Sequence, residues 1–205
     1  MADWVTISAL ATAGGTLILA GTTYASVRSA NRAARVAEMS LLAGLRPLLI
    51  QSSDADPPQH VGFGDGRSFE VAGGTAVVEA VDGRVYVVLS LRNVGPGIGI
   101  LHGGYVGEIK RGVDEHQPLE DFRRLIRDIY LPPGKVGFWQ ISFGDDPRTE
   151  EVRGLVQSGA FSVELLYGDY EGGQRVVSRF GVSRAGDRWN LAVVRHWQVD
   201  RPNPR

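Results

Sequence analysis

The chain of 205 residues contains no cysteine, which excludes a disulfide scaffold and any thiolate chemistry and leans towards a reducing compartment. Nor are its basic residues gathered into the patch or stripe that a nucleic-acid surface needs, so nucleic acid is not an expected partner. The overall formal charge is −1; residues 28–46 carry four Arg against one Glu, which leaves the part from Pro47 onward at −3. His60, His102, His116 and His196 are scattered without metal-ligand spacing, and no serine sits in a nucleophile-elbow string. The sequence therefore offers no catalytic residue, no metal ligand and no cofactor site, and is read as that of a non-enzyme.

A different absence organises the amino-terminal part. Trp4 to Val27 is twenty-four residues without a charge. At about 1.5 Å of rise per residue, a helix of that length covers roughly the 30 Å hydrocarbon core of a bilayer. Thr6, Ser8, Thr12, Gly14, Gly15, Thr16, Gly21, Thr22 and Thr23 dilute the run, but hydroxyls can bond back to helix carbonyls. A buried helix of a soluble domain would show a polar stripe, and none is visible. A cleaved signal peptide would open on cations, whereas this chain opens Met1-Ala2-Asp3.

The expectation is therefore an uncleaved anchor over residues 1–27. Arg28, Arg32 and Arg35 follow it directly, which places the amino terminus outside and the bulk of the chain on the cytoplasmic side of the cell membrane. Ser8, Ala11, Gly15 and Thr22 share a face and suggest self-association of the anchor. A juxtamembrane helix is expected over 28–45, with Gly44 and Pro47 as stop signals.

From residue 46 to 205 the texture changes. Runs of Val, Ile, Leu and aromatics alternate with Gly, Pro and Asp, the pattern of an all-β sandwich, here expected to be immunoglobulin-like. Strands are expected near 47–51, 68–72, 75–81, 84–93, 98–110, 135–143, 161–167, 174–183 and 189–199. Val85, Val87, Leu89 and Leu91 should share an inner face, as should Phe161, Val163, Leu165 and Tyr167, and Trp189, Leu191, Val193 and Trp197. Val81-Asp82-Gly83-Arg84 is a two-residue hairpin signal. Ser52 to Arg67 reads as a surface loop. Asp114 to Gly134 reads as an insertion holding a helix, with Leu119, Phe122, Leu125 and Ile129 on one face and Arg123, Arg124 and Arg127 opposite. A short helical turn is expected at 149–157.

Three strings invite a functional reading and give a structural one. Arg92-Asn93-Val94-Gly95-Pro96-Gly97 and Gly62-Phe63-Gly64-Asp65-Gly66 are rich in glycine, but phosphate-cradling loops need a helix amino terminus behind them, and strands follow both. Asp169 and Glu171 supply too few oxygens for calcium and suit a hairpin tip. The amino-terminal anchor, the Arg-bearing helix ending Leu45-Arg46-Pro47, the strand running into Leu91-Arg92-Asn93-Val94-Gly95-Pro96-Gly97 and the late Tyr167-Gly168-Asp169 together make the chain resemble small uncharacterised bacterial single-pass membrane proteins of actinobacterial type. The resemblance implies an architecture without an activity or ligand. The functional expectation is a protein-interaction or scaffold module at a membrane, with the lipid bilayer and a protein as partners. The alternatives are a subunit of a larger membrane complex or an enzyme whose site leaves no motif.

Overall fold

The computed structural model describes residues 3–109 and 115–200, with the side chains of Val5 and Thr6 also outside the described set. Lys110 and Asp114, at the ends of an expected strand and insertion, lie outside it. The chain divides into two compact units, one up to Ala43 and one from Gly44 onward.

The first unit is a single helix, α1 (Asp3–Leu45). Ala and Leu favour it, no proline interrupts it, and Pro47 ends it by disfavouring helical geometry in the residue before. Its hydroxyls bond inward along the helix: Thr12 Oγ1 donates to Ser8 O at 2.9 Å, Thr16 Oγ1 to Thr12 O at 2.9 Å and Thr22 Oγ1 to Leu19 O at 3.0 Å. Among the described residues, no helix is long and apolar enough to cross a membrane. The expected transmembrane span is corrected to that extent: the uncharged run forms one unbroken helix, but its threonines and glycines dilute it below what a lone span requires.

The second unit is mainly β. Its strands are β1 (Leu49–Gln51), β2 (Gln59–Gly62), β3 (Ser68–Val71), β4 (Thr75–Val81), β5 (Arg84–Asn93), β6 (Gly99–Gly107), β7 (Arg123–Leu131), β8 (Val136–Phe143), β9 (Ala160–Gly168), β10 (Val176–Ala185) and β11 (Arg188–Gln198), with one helix, α2 (Thr149–Ser158). Nine strands form one antiparallel sheet in the order β1-β5-β4-β11-β10-β9-β6-β7, with β8 on the other side of β5; β2 and β3 form a separate hairpin. The sheet curls on itself so that inner residues of strands far apart in the order share one core, among them Val87, Leu89, Trp139, Val163, Leu165 and Phe180. Val152 of α2 is fully buried in the same core. Gly159, at φ 81°, ends that helix in the left-handed conformation glycine takes without penalty.

The expected inner faces hold for Val85, Val87, Leu89 and Leu91 and for Phe161, Val163, Leu165 and Tyr167. On β11 they hold for Trp189, Leu191 and the partly buried Val193, and then switch. A register shift next to Arg179/Phe180 leaves Val194 unpaired, and one residue of slip turns the rest of the strand over, so Trp197 packs with Phe122 and Val177 on the opposite face.

Both outer faces are covered, one by a hairpin of β2, within the expected loop, and the expected strand β3, the other by part of the expected insertion. The β2–β3 hairpin lays Val61 and Val71 on Val88 and sets the rings of Phe63 and Phe69 4.9 and 5.2 Å from that of Tyr86. The segment 115–122 crosses β9 and β10 above a buried ion pair. Arg179 Nε donates to Glu164 Oε1 at 2.8 Å, Gln117 N–H donates to Glu164 Oε2 at 2.8 Å, and Arg179 Nη2 donates to Glu115 O at 2.8 Å. The helix expected within 114–134 is thus a correction: a 3-10 turn at Leu119–Asp121 leads into strand β7. Leu119 and Phe122 pack on the outer cluster while Leu125 and Ile129 lean on the inner core, so the four never share a helix face.

Candidate functional site

β7 and β8 are consecutive strands joined by Pro132-Pro133-Gly134-Lys135, yet they do not pair with one another. β7 pairs with β6, and β8 with β5, at opposite ends of the sheet order. The two therefore splay from their shared turn. Near it they touch: a Cβ on Gly137 would lie 2.1 Å from Leu131 Cδ1. At the far end the Arg123 side chain bridges the gap, its Nη1 donating to Ser142 O at 2.8 Å and reaching Asp146 Oδ2 at 3.2 Å. Between these points lies a cleft of about 390 Å³, lined by both strands and by Gly62–Gly64 of the β2–β3 turn.

β7 bulges along this cleft. Its pairing with β6 passes from Ile129↔Leu101 to Arg124↔Gly103, so the four residues Leu125–Asp128 face the single residue His102. This re-aims the strand, as bulges do. Ile126 is left fully exposed, and Leu125 lines both this cleft and a second hollow of about 440 Å³ beside His102, Phe122 and Arg175. Arg124 precedes the bulge and Arg127 lies within it, next to Asp128, neither with an ion pair among the described residues. On β8, Gln140 Nε2 donates to Gly62 O at 3.2 Å, but its Oε1 is buried without a partner. Buried polar atoms are normally satisfied, so an unsatisfied acceptor in a cleft wall is a place where a donor would be welcome. Of the glycine-rich strings only Gly62–Gly66 reaches this cleft; the other available signal was the Arg-rich run of Arg123, Arg124 and Arg127 upstream of Pro132-Pro133-Gly134.

The strings singled out in the sequence do not converge on this cleft, apart from the β2–β3 turn that forms one wall. Arg92–Gly97 joins β5 to β6 as a clasp around the start of the domain. Asn93, fully buried, accepts from Leu48 N–H at 3.2 Å and Gly95 N–H at 2.9 Å and donates to Gly97 O at 2.7 Å and Leu131 O at 2.8 Å. Gly97 has to be glycine, because a Cβ there would sit 1.7 Å from Leu45 O. Gly62–Gly66 is the β2–β3 turn, closed by Phe63 N–H to Arg67 O at 2.7 Å, and the Tyr86 hydroxyl donates to Asp65. That bond lowers the Asp65 pKa and raises that of Tyr86. Asp169 is buried in the β9–β10 turn, accepting from Gly173 N–H at 2.9 Å and Gln174 Nε2 at 3.1 Å.

His60 lies 3.7 Å from Glu70 on the exposed hairpin, and His116 Nδ1 is 2.6 Å from Gln117 O. His196 Nδ1 is 2.6 Å from Ser178 Oγ, which is 2.8 Å from the Tyr167 hydroxyl, which in turn accepts Leu49 N–H at 3.1 Å. Ser178 and Tyr167 have no exposed surface, so this relay ties β1, β9, β10 and β11 together and cannot present a nucleophile. Burial pushes the Tyr167 pKa up to about 12. Among the described residues no group of His, Asp or Glu side chains could hold a metal ion.

No family model and no curated protein matches the chain significantly. Among solved structures, it is similar to the β-glucosidase from Kluyveromyces marxianus, with 15% identity, 66% of this chain and 15% of that one covered, and a TM-score of 0.23. The chain thus spans a small fraction of that enzyme's length, and a likeness this faint carries no argument about fold or activity.

Proposed function

We propose that the protein is a membrane-tethered binding module, held at a bilayer by residues 4–27 and offering its β unit to a protein partner on the cytoplasmic side. The observation that carries the reading is the exposure of large apolar side chains along the uncharged half of α1. Trp4, Leu10, Leu17, Ile18 and Leu19 are each 67–78% exposed. Apolar surface of this extent calls for cover by lipid or by other apolar helices. The inward hydroxyl bonds of Thr12, Thr16 and Thr22 support it further, since they satisfy polar groups that lipid cannot. A helix too dilute to cross alone is stabilised in a membrane by a second helix, and the face carrying Ser8, Ala11, Gly15 and Thr22 suits close approach.

The cytoplasmic placement rests on Arg28, Arg32 and Arg35, all exposed just past the uncharged run. For the β unit, the packing of Val87, Leu89 and Trp139 with Val163, Leu165 and Phe180 supports reading the curled sheet as a variant of an immunoglobulin-like two-layer sandwich. Alkaline phosphatase, active only outside the cytoplasm, fused after Arg205 tests the orientation, with membrane fractionation alongside. The expected result is a membrane-bound, phosphatase-silent fusion. Recovery in the soluble fraction without detergent overturns the tether, and strong phosphatase activity overturns the orientation.

A further inference from the structure

The geometry points to the β7–β8 cleft as a docking site for an extended, acidic segment of a partner protein, which adds there as a strand; this rests on the binding-module reading and specifies its site. Both walls are open sheet edges, because neither β7 nor β8 has a second strand partner among the described residues. An open edge is a template for pairing, and an extended peptide uses it by main-chain hydrogen bonds. The cleft has the volume of a ligand site and apolar walls, formed by Leu125, Ile129 and Ile141. Gln140, which lines one wall, has its side-chain oxygen buried without a partner.

Charge selects the occupant. Arg124 and Arg127 stand at the cleft without an ion pair among the described residues, beside the carboxylate of Asp128, while Arg123 spans its end already paired with Asp146. A segment alternating apolar and acidic side chains would place its apolar groups on Leu125 and Ile129 and its carboxylates against the arginines, which hold carboxylates with charge-assisted, often bidentate, bonds. The same bulge and arginines could serve only to guard an edge against aggregation, and that reading expects no occupant.

The probe is the peptide acetyl-Glu-Val-Glu-Val-Glu-Val-Glu-amide, titrated into isotope-labelled full-length protein in a mild detergent while backbone amide shifts are followed. The proposal expects saturable shifts confined to residues 123–131 and 136–143, absent with the Lys-for-Glu peptide and with a version N-methylated on alternate amides. Arg124→Glu combined with Arg127→Glu should weaken binding about tenfold or more, as loss of a charge contact of roughly 1.4 kcal/mol would. Both side chains are exposed, so the variant's melting curve should match the native one and separate lost binding from lost folding. No shift at these strands, equal binding of the lysine peptide, or equal binding by the double variant would overturn the site. A native partner captured as well by R124E/R127E as by the native chain leaves the module reading standing and removes this cleft from it. Peptide binding here, with phosphatase fusions that fail the membrane test, keeps the cleft and removes the tether.

Discussion

The two units use the same apolar residue types in opposite ways. In the β unit, Leu89, Trp139, Val163 and Phe180 have no exposed surface, and even a tyrosine is sealed inside. Along α1, Leu17, Ile18 and Leu19 are 67–73% exposed. The difference teaches where each unit gets its stability. The sheet brings strands far apart in sequence together around its own interior, and burial there contributes roughly 25 cal/mol per Å² of apolar surface. A single helix has no interior, so its apolar surface is stabilising only once something outside covers it.

The largest effect that could break this comparison is a core truncation. Trp139→Ala should destabilise the β unit by about 3–5 kcal/mol, because the ring lies against Gly104 and the cavity cannot collapse without moving β6. Trp4→Ala should leave the same transition in place and instead lower partition into vesicles. Denaturant midpoints for the two variants, measured side by side, decide it. A helix variant that shifted the sheet's midpoint as far as Trp139→Ala would end the claim that the units are stabilised separately.

A second test turns on polar groups, which the helix satisfies within itself and the sheet satisfies across strands. Tyr167 titrates at about 12 in the folded chain against an ordinary value of 10.0, so between those values the unfolded chain loses a proton that the folded chain keeps. Stability from this group is complete below pH 10 and is lost as pH rises towards 12, by about 2–3 kcal/mol in all. Urea denaturation at pH 9, 10 and 11 should show the decline, and Tyr167→Phe should flatten it. Tyr86 and Tyr105 are shifted the same way, so the slope difference between native and variant isolates Tyr167. Parallel slopes would show that the relay does not hold its proton as tightly as its burial implies.

Most of the sheet was legible because its strands alternate cleanly and its turns are local. At Val81-Asp82-Gly83-Arg84, Asp82 takes φ 49° and Gly83 φ 76°, as a two-residue hairpin requires, and Val81 pairs with Arg84. What failed was decided by tertiary context. β2 is four residues long, and only its packing on Val88 gives it a strand's environment. β7 carries apolar residues at three- and four-residue intervals because it bulges between two cores, and a bulge imitates a helical period. The cleft was illegible for the same reason, since Gln140 and Arg124 meet only when β7 and β8 are drawn to opposite ends of one curled sheet. For α1, the absence of charge was plain in the sequence, while the strength of its apolar run depends on how threonine and glycine are weighed.

The smallest effect probes the boundary itself. A chain beginning at Gly44 retains every residue of the clasp, in which Gly97 N–H reaches Arg46 O at 3.4 Å and Val94 N–H reaches Leu48 O at 2.8 Å. It should melt within about 0.5 kcal/mol of the full-length protein, the scatter of changes that touch no special feature. A chain beginning at Leu49 removes Leu48 from Asn93 Oδ1 and Val94 N–H from its acceptor, and uncovers Gly95 and Gly97, whose missing Cβ atoms make room for residues 45–48. Lost partners of buried groups cost about 1–3 kcal/mol, softened here because water reaches the cut end. The expected difference between the two truncations is therefore about 1 kcal/mol, read as a displaced urea midpoint with an unchanged slope. If the Gly44 chain were the weaker by that amount relative to full length, and the Leu49 chain no weaker still, the stabilising contact would lie in α1 and the division of the molecule at residue 44 would have to move.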